Sequence, residues 1–197
     1  MAALEEARRG AGKTLQEILP DLHPPGEVIY QKISKFLPNS SNNLRSYTVL
    51  GRDDEGLIYL VHPCRTVGFV VIEAEMDKQR DVAPVLRVSL RDTDIKGYKQ
   101  AYHLRIRKTY SRSNVAKTWY SMYVAEHSGI VSDTQYPQGD HQLWKSLLRH
   151  TREGFKVSRY KSDGTYVGPV SSSTPESEIW SAASRMQDTL LVLEKRP

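Results

Sequence analysis

From Tyr47 to Tyr123 the chain runs in short apolar or alternating stretches broken by turn-forming residues, and no other feature constrains its fold as strongly. A period of two turns one face of a strand to a core and the other to water. The region therefore reads as antiparallel strands near 47–50, 57–61, 67–74, 85–90, 100–110 and 118–126. GRDDEG, DTDIKG and SRSN separate them as hairpin turns, because Gly, Asn and Asp tolerate left-handed backbone. Beyond Gly129, IVSD adds a short strand. DHQLWKSLLRHT then forms a helix with Leu143, Trp144, Leu147 and Leu148 on one face, Asp140 as its cap and Gly154 as its stop. FKVSRY is a strand, Ser162-Asp163-Gly164 a turn and GPVSSSTP a loop. Ser173 and Glu176 open a last helix near 174–187, and LLVLEK closes the chain as a strand.

The expected fold class is α+β: a central, mostly antiparallel twisted sheet packed by the helices near 140–151 and 174–187. Core candidates are Val49, Ile58, Leu60, Phe69, Val71, Leu86, Val88, Leu104, Ile106, Leu143, Leu147, Ile179 and Leu191. Residues 1–45, interrupted by Gly10, Gly12, Pro20, Pro24, Pro25 and Pro38, read as a helical N-terminal arm, with one α+β domain over 46–197. A content of 39% hydrophobic and 26% charged residues in 197 excludes wholesale disorder. Cys64 is the only cysteine and has no internal disulfide partner. MAALEEARRGAGK lacks the apolar segment of a secretory signal, and no apolar run approaches the roughly 20 residues of a membrane span, so a cytoplasmic protein without membrane contact is expected.

Several chemistries are suggested and set aside. Ala7-x-x-x-x-Gly12-Lys13-Thr14 resembles a phosphate loop, yet no apolar strand precedes it to aim its amides at phosphate. Asp53, Asp54, Glu55, Glu73 and Glu75 with Lys78 invite a metal-dependent nuclease. The spacing of Glu75 and Lys78 is one residue too long for the usual acid-x-lysine pattern, and a hairpin turn accounts for the first three. His62 and Cys64 flank Pro63 in an extended segment, with no acid assigned to orient the histidine and no second ligand pair for zinc. No metal is expected.

The charge distribution is more informative. The chain carries +5 overall, but Arg87, Arg91, Lys96, Lys99, Arg105, Arg107, Lys108, Arg112 and Lys117 oppose only Asp92 and Asp94 between 87 and 117, a local +7 that leaves −2 elsewhere. Tyr98, Tyr102 and Tyr110 interleave with these cations. In HLRIRKTY, alternation sends Arg105 and Arg107 to one face while Leu104 and Ile106 enter the core. Such a face suits phosphates and stacked bases. Lys99, Tyr102, Arg105, Arg107, Lys108, Tyr110 and Arg112 are accordingly the candidate contacts for nucleic acid or an acidic host protein, in a non-enzymatic accessory protein that needs no cofactor.

GIVSDTQYPQGDHQLWKSLL offers a different site, a strand, a Gly-containing loop and a helix start, where amides near Gly139 converge on an anion while Asp140 competes for them. Over roughly residues 100–194 this order of elements resembles small bacteriophage proteins that are compared with the GNAT superfamily of acyltransferases. In that superfamily acetyl-CoA pyrophosphate rests on a Q/R-x-x-G-x-G/A loop. Only Gly139 is retained here, with Tyr136 and His141 at the outer positions. The resemblance implies a phage-encoded, GNAT-like fold and, as the alternative function, an acyl-CoA-dependent N-acyltransferase. Gln138, Gly139 and Asp140 would contact acetyl-CoA and no catalytic base is transferable. The departures from the motif imply a degenerate member.

Overall fold

A computed structural model describes residues 48–62, 64–72, 84–110, 114–132, 138–149, 154–175, 179 and 189–196. The expectations for the 1–45 arm, the Ala7–Thr14 motif, Glu73, Glu75, Lys78, Arg112 and nearly all of the 174–187 helix lie outside these residues.

The fold is α+β. Nine strands, β1 (Thr48–Arg52), β2 (Leu57–Val61), β3 (Val67–Ile72), β4 (Leu86–Asp92), β5 (Lys99–Ile106), β6 (Gly129–Val131), β7 (Phe155–Lys161), β8 (Tyr166–Val170) and β9 (Thr189–Lys195), form one mostly antiparallel sheet in the order β1-β2-β3-β4-β5-β6-β9-β7-β8. Among the described residues two helices are given in full, α1 (Val115–His127) and α2 (Gln138–Arg149). By its contacts the chain divides into two units, and the division passes through β4 and β5: residues up to Ser89 with Leu104–Val115 make the first, Leu90–His103 with the chain from Ala116 the second.

In the first unit β1, β2 and β3 are joined as antiparallel neighbours. The GRDDEG hairpin forms as its sequence dictates. Asp53 Oδ1 accepts from the amides of Glu55 (3.0 Å) and Leu57 (2.9 Å), Oδ2 accepts from the Tyr59 hydroxyl (2.8 Å), and Gly56 takes a left-handed φ of 73°. Val49, Ile58, Leu60, Phe69, Leu86 and Val88 are buried as expected. Leu104 and Ile106 are only half-buried, because β5 ends at Ile106 and runs on into a 3-10 turn, Lys108–Tyr110, rather than continuing as a strand to 110.

The second unit holds a correction. VAKTWYSMYVAEH, which contains the strand expected at 118–126, is helix α1, so the element that follows the expected SRSN hairpin turn is not its second strand. Aromatic and β-branched content suggested a strand, but Val115, Ala116, Trp119, Tyr120, Tyr123 and Val124 are buried at steps of one and three that repeat with the helical period. Trp119 stacks on Tyr123 with centroids 5.1 Å apart, and Tyr120 meets Trp144 of α2 edge-on at 6.1 Å. Because α1 intervenes, β5 and β6 pair in parallel, Lys99 with Ile130 and Gln100 with Val131. The closing strand β9 then lies between β6 and β7, antiparallel to both. Helix α2 begins at Gln138, so Gly139 and Asp140 belong to its first turn. Leu147 is buried and Leu143 half-buried, while Ile179 and Leu191 are buried as expected.

GPVSSSTP is not wholly a loop, since its first three residues end β8, which among the described residues pairs with β7 alone. Gly168 and Pro169 concealed this strand. Proline is tolerated at a sheet edge because its missing N–H need not meet a neighbour. A register shift opposite Arg159 and Tyr160, together with Pro169, blunts the edge beside the exposed Tyr166 and Val167.

Candidate functional site

Two arrangements in the second unit each set a cation over a tyrosine ring. The first lies at the β4–β5 turn. Tyr98 N–H donates to Ile95 O (2.9 Å) while Lys96 and Gly97 adopt φ of 50° and 67°, the signature of a type I′ turn. This turn carries Lys96 to the carboxylate of Glu194 in β9. Lys96 Nζ is 2.6 Å from Oε1, the Tyr98 hydroxyl donates to the same oxygen at 3.3 Å, and Ser158 Oγ donates to Oε2 at 3.2 Å. The Glu194 side chain is 3% exposed and that of Lys96 47%. Lys96 Nζ also sits 5.3 Å from the Tyr160 ring centroid. Hydrogen bonds to Glu194 and then Tyr160 hold the Lys96 pKa well above the usual lysine value. Burial, followed by the charge of Glu194, raises that of Tyr98. Tyr98 packs against the buried apolar cluster of Ile95, Val131, Tyr160, Leu190 and Val192. The Lys96 ammonium and the Glu194 carboxylate offset one another and the Tyr98 and Ser158 hydroxyls complete the donors, so this cluster fixes structure.

The second arrangement lies on β4 and β5. Arg91 is exposed, with Cζ 5.3 Å from the centroid of half-buried Tyr102. Its Nε donates to Gln100 Oε1 at 2.7 Å. Gln100 is itself buried and donates from Nε2 to Ser132 O at 2.7 Å. Ser132, next to β6, is tied to β9 by Leu191 N–H donating to its Oγ (2.9 Å) and by its own N–H donating to Leu191 O (2.8 Å). The guanidinium is thus tethered through a buried amide to the sheet. Because Gln100 is neutral, this contact does not offset the guanidinium charge, and a bond made through Nε leaves the paired Nη groups suited to a phosphate, a carboxylate or a base edge.

The seven residues expected to form one nucleic-acid face are distributed differently. Lys99 is 8% exposed, and its Nζ is 2.6 Å from Asp92 Oδ1, so its charge is matched within the fold. Tyr102 belongs to the platform just described. Arg105 is exposed in the first unit, but strand alternation sends Tyr102 and Arg105 from opposite faces of β5. Arg107 is half-buried, and Lys108 and Tyr110 lie in the 3-10 turn, exposed and half-buried respectively. Also in the first unit, Arg87 Cζ lies 6.0 Å from the Phe69 ring centroid. The sequence placed Arg91 in the basic run without giving it a role, and passed over Gln100. LRVSLRD carried a clue in its alternation of apolar residues with Arg87, Ser89 and Arg91.

The remaining candidates resolve simply. Asp53 closes its turn. The backbone amide of Cys64 donates to His62 Nδ1 at 3.1 Å, so this histidine nitrogen serves the turn, and burial lowers the His62 pKa. Cys64 is exposed. Among the described residues no three His, Cys, Asp or Glu side chains gather as a metal site, and no helix is long and apolar enough to cross a membrane. The molecule is defined at the level of class, an α+β protein built on a nine-stranded mixed sheet. No protein-family model, curated protein or solved structure matches the chain.

Proposed function

We propose that this chain is a non-enzymatic accessory protein that binds nucleic acid, with Arg91 and Tyr102 at the centre of contact. One observation carries the reading: an exposed arginine lies over an aromatic ring and is tethered by a buried glutamine instead of a carboxylate. Orienting a long side chain before the ligand arrives lowers the ordering cost of binding. Guanidinium is the side-chain group best matched to phosphate oxygens and base edges. The local excess of positive charge between residues 87 and 117 supports an anionic partner in the same region of sequence.

Fluorescence anisotropy of a labelled mixed-sequence oligonucleotide tests the reading. Binding is expected to weaken as salt rises between about 50 and 200 mM, and Arg91→Ala is expected to reduce affinity by about ten-fold. Unchanged affinity in Arg91→Ala rejects the assignment of this arginine. Capture of polyglutamate without capture of the oligonucleotide moves the function to an acidic protein partner.

A second reading, acyl-CoA-dependent transfer of GNAT type, draws support from chain order alone. β6, then α2 carrying Leu143 and Trp144, then β7 and the closing β9 follow the order of the resemblance, whereas α1 stands where that order has a strand. Calorimetric titration of acetyl-CoA separates the two readings. Saturable binding that Gly139→Glu abolishes favours the transferase, and absence of binding removes it.

A further inference from the structure

We infer that the ligand of the Arg91–Tyr102 platform is single-stranded nucleic acid, with an unpaired base seated on the outer side of the Arg91 guanidinium. The inference rests on the nucleic-acid reading above and narrows it. Its ground is the contrast between the charge present in sequence and the charge that the fold leaves unmatched. Within Leu90–His103 the Lys and Arg cations are Arg91, Lys96 and Lys99. Glu194 neutralises Lys96 and Asp92 neutralises Lys99, both at 2.6 Å, whereas Arg91 bonds a neutral amide. Within this segment a single unmatched cation makes no row of charges to track the closely spaced phosphates of a duplex, whose binding rests on neutralising many of them at once. A fixed planar cation can instead receive a planar base.

The geometry meets that need. Arg91 Cζ lies over the Tyr102 ring, 5.3 Å from its centroid, and Nε donates to Gln100, itself anchored to Ser132 O, so the guanidinium is held by two contacts before a base approaches. Arg91 is exposed. Bases stack on arginine planes as well as on aromatic rings, and duplex bases are not available for this. Arg91→Lys isolates the effect because it retains the charge and removes the plane.

The full-length chain, its Arg91→Lys variant and a Tyr102→Leu variant are titrated into a labelled single strand, an abasic strand of the same length and phosphate count, and a duplex. Thermal unfolding of each variant checks that the fold persists. The base-bearing strand is expected to bind about ten-fold tighter than the abasic strand. Arg91→Lys and Tyr102→Leu are expected to abolish that preference, while Arg91→Lys leaves the salt slope unchanged. Equal affinity for base-bearing and abasic strands, or tighter binding of the duplex, overturns the single-strand inference and leaves nucleic-acid binding standing. Absence of binding to all three overturns both.

Discussion

Lys96 and Arg91 stand in the same unit, five residues apart in sequence, each 5.3 Å from the centroid of a tyrosine ring, and they do opposite things. Lys96 is matched by a carboxylate that is 3% exposed and by a hydrogen-bond set reaching from the β4–β5 turn to β7 and β9. Arg91 is matched by an amide and keeps its charge in solvent. What separates a structural cation from a candidate binding cation is the charge of its partner, and neither the ring beneath nor the basic run in sequence reveals that. Comparable substitutions at the two positions are expected to have unequal effects.

Lys96→Met gives the largest effect. It leaves the buried Glu194 carboxylate without its ammonium, and the expected loss is about 3 kcal/mol, the lower end for breaking a buried pair because half of the lysine remains in water. Lys96→Met with Glu194→Leu is expected to recover most of that loss, since an apolar pair needs no compensation. Arg91→Met, by contrast, is expected to change stability by no more than about 0.5 kcal/mol. Urea midpoints of the three variants decide this, and equal losses for Lys96→Met and Arg91→Met would erase the distinction.

Gly129→Ala comes next. Gly129 opens β6 directly beneath the Tyr98 ring, and a Cβ there would lie 2.5 Å from Tyr98 Cε2. The ring is pinned by its hydroxyl bond to Glu194, so it cannot yield freely. An overpacking cost of about 2 kcal/mol is expected, relieved when Tyr98→Leu accompanies it. Thermal unfolding of Gly129→Ala at the wild-type midpoint would show that the ring moves aside without cost.

This ordering also marks how far the sequence could be read. The hairpins around Asp53 and Gly97 were legible because turn chemistry is local: a carboxylate reaching amides two and four residues on, or two left-handed residues in succession. Helix α1 was misread because Trp119, Tyr120 and Tyr123 carry strand propensity, and burial of the helical stripe overrides it. The loss of that helix also hid the parallel pairing of β5 with β6. The platform was half legible, since Tyr102 and the basic run stand out, whereas the role of Gln100 depends on Ser132, which lies 32 residues away. Lys96 and Glu194 are 98 residues apart, so nothing local announces that this lysine is neutralised and its neighbour Arg91 is not.

The smallest expected effect is a dependence on alkaline pH. The folded chain holds the Lys96 proton more tightly than the ordinary lysine value of 10.5, through hydrogen bonds to Glu194 and Tyr160, and the Tyr98 proton more tightly than the ordinary 10.0, through burial and the charge of Glu194. Below pH 10 both groups are protonated in the folded and unfolded chains, and their contribution to stability is fully present. As pH rises past 10.0 and then 10.5 the unfolded chain releases these protons first, which favours unfolding, and the contribution is lost as pH climbs through the raised folded values. The urea midpoint of the wild type should therefore fall above pH 10 more steeply than that of Lys96→Met, which has no ammonium to lose. Arg91→Met should follow the wild-type curve, because arginine stays charged throughout this range. Parallel curves for the wild type and Lys96→Met would mean that Lys96 gains nothing from Glu194 on folding, and the contrast between the two cations would then rest on geometry without energetic consequence.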